Sequence, residues 1–394
     1  VAVDVFQSLQ ASVTDQLVSD VPVGAFLSGG LDSSLLVALA KKVGAKNLEC
    51  FTIDIGSTSQ GNDGFTDDLP YAKKAAEHLA VPLNILKVTP DIVSLLPKMI
   101  YHLDELQADI APINLMLICE HAKSKGIKVL LSGAGGDDIF TGYRRHYAVS
   151  IEKYWSWLPK PLRLFLKLTT GLLPKHNVHG RRISKAFKYA NLDSDERLLS
   201  YFYWMDPEVA RDLFVDEIQN KLSESPMNFV LDELSQKGNL NPVEKMLHLE
   251  RNYFLVDHNF NYTDKMSMAS GVEVRVPFMD KRVVNCAAGI DVKLKQKGKV
   301  GKWILKKSAE SLLPKNIIYR SKSGFGAPLR DWLKGDLSDF VDEYLSVEKV
   351  NERGVFNSNK IQNLLNEDRR GNEDYSYSIF ALLCFEIWCQ KFLD

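Results

Sequence analysis

Ser28-Gly29-Gly30-Leu31-Asp32-Ser33-Ser34 stands between two different patterns. Before it, Val21–Leu27 is a short, nearly continuous apolar run, as expected of a strand buried on both faces of a parallel sheet. Behind it, Leu35–Val43 returns to helical spacing. Strand, glycine turn and helix together make an anion site. Glycines let the backbone turn sharply and bring N–H groups together, and the helix aims its positive end at the same point. The hydroxyls of Ser28, Ser33 and Ser34 add donors. Asp32 would repel a bare phosphate, and makes sense there if it holds Mg²⁺ that neutralises a polyphosphate. No lysine stands where a GxxxxGKS/T loop needs one. The plainer alternative is a Gly/Ser turn whose Asp and Ser only cap the helix.

Outward from this stretch the chain alternates. Phe6, Leu9, Val13 and Leu17 recur as one face of a helix; Leu48–Ile55, Asn84–Val88 and Lys128–Leu131 read as strands. Helical stretches Asp68–Ala80, Val93–Leu103 and Pro112–Lys125 lie between them. The alternation predicts an α/β fold, a doubly wound parallel sheet with right-handed crossovers. The polar stretch Gly56–Thr66 follows the second strand, at the sheet edge where such folds bind ligands, and reads equally as a plain surface loop. After about residue 150 the strand pattern fades. Leu198–Met205, Val243–Val256, Trp303–Leu313 and Ser376–Phe392 are helical, so residues 1–150 are expected as an α/β core and 151–394 as a mainly α-helical part.

A length of 394 residues allows two or three domains. Lys plus Arg number 49 against 50 Asp plus Glu, a formal charge of −1, which removes the electrostatic prior for nucleic acid. The best apolar stretch, Leu162–Leu173, is broken by Arg163 and Lys167, so no membrane span and no membrane partner are expected. With no secretory signal, and with Cys50, Cys119, Cys286, Cys384 and Cys389 forming no CxxC pair, buried free thiols in the cytoplasm are the expectation. His102, His146 and His258 lack metal-ligand spacing. A first residue Val inside a helical pattern suggests a piece of a longer protein.

Two further segments carry chemistry. Lys128–Leu131 runs into Ser132-Gly133-Ala134-Gly135-Gly136-Asp137-Asp138, a second glycine turn that opens on the same sheet edge as the first. Asp137 and Asp138 offer a metal ligand, and Arg144 and Arg145 charge for an anion. Tyr262–Ala269 and Gly271–Lys281 follow, an alternating run stopped by Pro277 that reads as an edge strand or a loop. Lys322–Pro328 is one more glycine-punctuated turn.

Taken in this order, the segments resemble the synthetase domain of glutamine-dependent asparagine synthetases, members of the PP-loop ATP pyrophosphatase superfamily with an adenine-nucleotide α-hydrolase-like fold. The family's Ser-Gly-Gly-Leu-Asp-Ser-Ser is matched in full. Its Thr-Asp-Arg-Met-Ser-Met-Ala is matched with Lys265 in place of Arg, and its Val-Glu-x-Arg-Val-Pro-Phe-x-Asp by Val272–Asp280. The resemblance implies an ATP-dependent amide-forming ligase: a carboxylate is adenylated with release of pyrophosphate, and ammonia then displaces AMP. It implies that Ser28, Gly29, Gly30, Ser33 and Ser34 cradle the phosphates, that Leu27 and Ile53 contact adenine, and that Ser132 and Gly133 contact the nucleotide. It places Asp32 and Asp137 on Mg²⁺ and Lys281 against the leaving pyrophosphate, with residues 262–281 returning to the site.

Ala134 departs from the family, whose Glu there is thought to take a proton as ammonia attacks; such assistance is worth about 10²–10⁴ in rate. Asp104, Glu105 or Asp138 could substitute, a phosphate oxygen could take the proton, or the acceptor could differ from aspartate, for example a uronic-acid sugar nucleotide of surface-polysaccharide synthesis. A tRNA-modifying ATP pyrophosphatase is the third reading; it would need a basic face, and Arg181-Arg182 with Lys185-Lys188 is only a small patch. No cysteine precedes Cys50, so the family's upstream glutaminase domain is expected to be absent from this chain, with ammonia supplied by a glutaminase upstream or in trans.

Overall fold

The computed structural model describes residues 1–54, 68–87, 92–173, 178–222, 224–320 and 329–394. The polar stretch Gly56–Thr66 and the turn Lys322–Pro328 lie outside them. Five strands, β1 (Val23–Phe26), β2 (Glu49–Asp54), β3 (Leu83–Lys87), β4 (Val129–Leu131) and β5 (Glu273–Arg275), form one sheet in the order β3-β2-β1-β4-β5. Every pairing is parallel. Helices α1 (Ala2–Gln16), α2 (Leu31–Lys42), α3 (Leu69–Leu79), α4 (Ile92–Leu103), α5 (Ala111–Ser124) and α6 (Gly136–Phe140) occupy the first part of the chain.

The central strands β1 and β4 show why their sequences read as apolar runs. Gly24 and Ala25 of β1 and all of Val129–Leu131 are buried, because helices cover both faces. The alternating run after Gly271 proves to be the edge strand: Val129 pairs with Glu273 and Leu131 with Arg275, and Pro277 ends the ladder in a 3₁₀ turn. One core collects Val5, Leu9 and Val13 of α1, Leu35, Leu36 and Leu39 of α2, and Ile304 and Leu305 from near the other end of the sequence. The chain therefore returns to the sheet long after leaving it.

Two compact units result. The first comprises Val1–Glu105, Asp109–Tyr147 and Leu247–Pro328; the second Leu106–Ala108, Ala148–Met246 and Leu329–Asp394. The stretch that rejoins the sheet unit is thus longer than residues 262–281. The second unit is helical and includes α8 (Lys160–Gly171) and α9 (Val178–Phe187), with α7 (Arg144–Glu152) leading into it. Inside it Arg197 meets Glu152 at 2.7 Å, and the Tyr201 hydroxyl donates to the same carboxylate at 2.8 Å, so a buried charge pair is hydrogen-bonded on both sides.

Candidate active site

In the order 3-2-1-4-5, crossovers leave β1 and β4 in opposite directions, so a crevice opens beyond their carboxyl ends, where open α/β sheets bind ligands. The two glycine turns meet there. α2 starts at Leu31, four residues before the spacing announced it, because Gly30 adopts the extended N-cap conformation. Asp32, Ser33 and Ser34 therefore lie in the first helical turn, where the free N–H groups and the helix dipole favour negative charge. Gly29 has φ +68°, and a Cβ on it would sit 2.2 Å from the Tyr71 carbonyl carbon at the start of α3. Only glycine fits.

The loop is cross-braced by its own hydroxyls. Ser28 Oγ and Ser33 Oγ are 3.1 Å apart, and the Gly30 N–H donates to Ser28 Oγ at 3.4 Å. Ser34 is fully buried. Arg320 braces the turn from behind: it donates to the Ser28 carbonyl at 3.3 Å, pairs with Asp68, and lies 3.9 Å over the Tyr71 ring.

The second turn abuts the first. A Cβ on Gly136 would lie 2.9 Å from Asp32 Cγ, and one on Gly142 would lie 1.7 Å from Asp137 Oδ1. These glycines let the backbone press on both carboxylates. Between the carboxylates lies Lys302. Its ammonium pairs with Asp32 and reaches Asp137 Oδ1 at 2.6 Å, and its side chain is almost wholly buried. Burial alone pulls the ammonium down, but the charges of Asp137 and Asp32 overcome it and hold Lys302 above the ordinary lysine range. Lys302 takes φ +53°, an uncommon backbone for a side-chain-bearing residue, and its N–H donates to the Phe140 carbonyl at 3.0 Å.

The family resemblance puts Lys281 against the leaving pyrophosphate, an expectation distinct from the place between Asp32 and Asp137. Lys281 is exposed at the start of a helix capped by Asp280, and Lys302 is the lysine between the two aspartates. Lys302 was missed because 270 residues separate it from Asp32. The one local signal was a lysine flanked by Gly298, Gly301 and the apolar helix Trp303–Ala309. Arg320 gave less signal still.

Leu27 and Ile53 lie at the carboxyl ends of the neighbouring strands β1 and β2, and Leu27 donates its N–H to Phe51. Ser132 accepts the Ala134 N–H at 3.2 Å and donates its own N–H to Arg275, so Gly133 and Ala134 face the first turn from a fixed backbone. The remaining acidic and basic candidates are engaged elsewhere. Asp138 is buried and takes the Tyr143 hydroxyl at 3.3 Å. Arg145 pairs with buried Glu250 and lies over the rings of Tyr143 (4.3 Å) and Phe254 (4.4 Å), which meet edge to face; Arg144 is exposed. Asp104 pairs with Lys265, and Glu105 accepts from Asn261 at 2.9 Å. His146 accepts the Tyr143 N–H at Nδ1 and sets Nε2 2.8 Å from Glu250, and His258 pairs with Asp109 at 3.2 Å.

Among the described residues no three or more His, Cys, Asp or Glu side chains gather as a metal site. Asp32 and Asp137 nevertheless fit Mg²⁺ of the kind held by one or two carboxylates plus substrate phosphates, since both aim at the crevice cation.

The comparisons with known proteins bear on the whole chain. Asparagine synthetase [glutamine-hydrolyzing] 1 of Bacillus subtilis is 29% identical over 387 residues, 98% of this chain and 58% of its own length. Asparagine synthetase [glutamine-hydrolyzing] 3 of the same organism is 30% identical over 329 residues, 80% of this chain and 47% of its own. The chain thus spans about half the length of the curated relatives it matches. Among solved structures, the NH3-dependent NAD synthetase from Campylobacter jejuni covers 49% of this chain and 97% of its own at 14% identity, with a TM-score of 0.27. Residues 4–390 match the family model described as asparagine synthase, and the chain belongs to that family.

Proposed function

We propose that the chain is the ligase part of an ATP-dependent amide synthetase, which adenylates a carboxylate, releases pyrophosphate and hands the acyl group to ammonia. The observation that carries this reading is the array in which buried Lys302 joins the partly buried Asp32 and Asp137 between the two glycine turns at the sheet's switch point. Backbone N–H groups at the start of α2 and the hydroxyls of Ser28 and Ser33 hold the β- and γ-phosphates. Leu27 and Ile53 lie against adenine, with Ser132 and Gly133 on the nucleotide. Asp32 and Asp137 would hold Mg²⁺, which when bound would neutralise charge on the phosphates. As the acceptor carboxylate attacks the α-phosphorus, the Lys302 ammonium stays protonated and donates to the oxygens that gain charge. Ammonia then attacks the acyl carbon, and AMP leaves.

Ala134 supports a second reading of the acceptor. No carboxylate projects from that position, and Asp104, Glu105 and Asp138 are held by Lys265, Asn261 and Tyr143. With those three engaged, a phosphate oxygen of the adenylate is left to take ammonia's proton, and the space freed beside Gly133 admits an acid bulkier than aspartate, such as a uronic-acid sugar nucleotide. Isotopic exchange between ATP and pyrophosphate, run with aspartate and with uronates, tests both. Acid-dependent exchange is expected. Exchange with aspartate alone removes the second reading, and exchange with no acid tried removes the first.

A further inference from the structure

From Lys153 to Lys188 the sequence carries nine Lys and Arg and no Asp or Glu, in a chain whose formal charge is −1. α8 runs through this stretch, and none of its residues is buried. Arg163 ties one face of the helix to the second unit, donating to the carbonyls of Leu158 at 3.1 Å, Ala190 at 2.9 Å and Leu192 at 2.6 Å. On the opposite face Leu164, Phe165, Leu168 and Leu172 recur at spacings of one, three and four, exposed by 42%, 61%, 60% and 86%. The usual order is inverted: the apolar row faces out. Lys160 and Lys167 border it, and Trp157, 73% exposed, and Tyr154 extend it over the preceding turn.

Single exposed leucines are ordinary on a protein surface, but a contiguous apolar row with basic borders marks an interaction face. We infer that α8, with the turn before it, is a docking surface for an anionic lipid bilayer, lying in the plane of the interface. Leucines and Phe165 enter the acyl boundary, Trp157 and Tyr154 sit at headgroup level, and the lysines meet lipid phosphates. Charge decides the occupant. A second copy docking through the same face would set two basic surfaces against each other. A nucleic acid would gain nothing from aliphatic side chains aimed outward. No helix among the described residues is long and apolar enough to cross a membrane, so the contact is peripheral. The proposal stands independently of the reaction.

The test uses the full chain with vesicles of phosphatidylcholine alone, or mixed with phosphatidylglycerol, read by co-sedimentation at low and high salt. Two double variants are compared, Leu164→Asp with Leu168→Asp, and Lys160→Glu with Lys167→Glu. All four positions lie on the surface of α8, and unchanged thermal unfolding confirms the fold. Binding is expected only to the anionic vesicles, weakened by salt, and on the order of tenfold weaker in each variant. No sedimentation with anionic vesicles, equal binding to neutral ones, or binding that both variants leave intact would overturn the proposal. So would self-association of the wild type, lost in the Leu→Asp variant, that proceeds without lipid.

Discussion

In the proposed reaction, Lys302 is the residue on which the chemistry turns. Two carboxylates this close repel each other, and a buried ammonium between them is costly alone; together the three groups compensate. Replacing Lys302 by Met removes the donor aimed at developing phosphate charge, and pyrophosphate exchange is expected to fall by about 10²–10³. Lys281→Met, at an exposed position, is expected to change exchange by no more than about twofold. Equal losses in both variants would return the role to Lys281. The titration of Lys302 has a definite sign. Its folded pKa lies above the ordinary 10.5, so its contribution is complete below that value and is lost only as pH rises through the higher folded one. A pH–rate profile should therefore carry no lysine limb below about pH 10. Tyr143, raised well above its ordinary value by burial and by the charges of Asp138, Asp137 and Glu250, is expected to give none either.

Among the elements, α2 links the core to the site, because its first turn holds Asp32 and its later turns carry buried Leu35, Leu36 and Leu39. Leu39→Ala should cost about 2–5 kcal/mol in urea unfolding, since the cavity would open in the core against which α2 packs. A loss below about 1 kcal/mol would show that the helix is not packed as described. This element also shows what the sequence could say. β1, β2 and α2 were legible because burial on both faces leaves a continuous apolar signature. β5 was half legible: Glu273-Val274-Arg275 reads as an edge strand or a loop, because charge and backbone pairing coexist at a sheet's edge, and its place beside β4 is fixed by the Ser267–Gly271 turn and Pro277 rather than by periodicity. Asp32 and Asp137 were legible because each follows its strand directly. Lys302 and Arg320 reach the site only through tertiary packing, from segments with no strand before them. Arg145, Asp104 and Glu105 looked free in sequence for the same reason. Their partners Glu250, Lys265 and Asn261 lie more than a hundred residues away.

For the molecule as a whole, the thiols of this chain bear on the proposed source of nitrogen. Hydrolysis of glutamine by a cysteine needs an accessible thiolate. Burial pushes the Cys50 and Cys119 thiols up to about 12, Cys384 and Cys389 are buried as well, and Cys286, partly buried, packs against the core. An ammonium salt is therefore expected to support amide formation by this chain and glutamine is not; release of glutamate from glutamine by the purified chain would contradict this. The reading rests in the end on where the nucleotide lies. A crystal structure of the chain with a non-hydrolysable ATP analogue and Mg²⁺ is the most direct measurement. Phosphates against the N–H groups of Ser28–Ser34, with the Lys302 ammonium turned from Asp32 and Asp137 onto a phosphate oxygen, are the predicted result. A nucleotide bound away from Asp32, with Lys302 still joining the two aspartates, would contradict it.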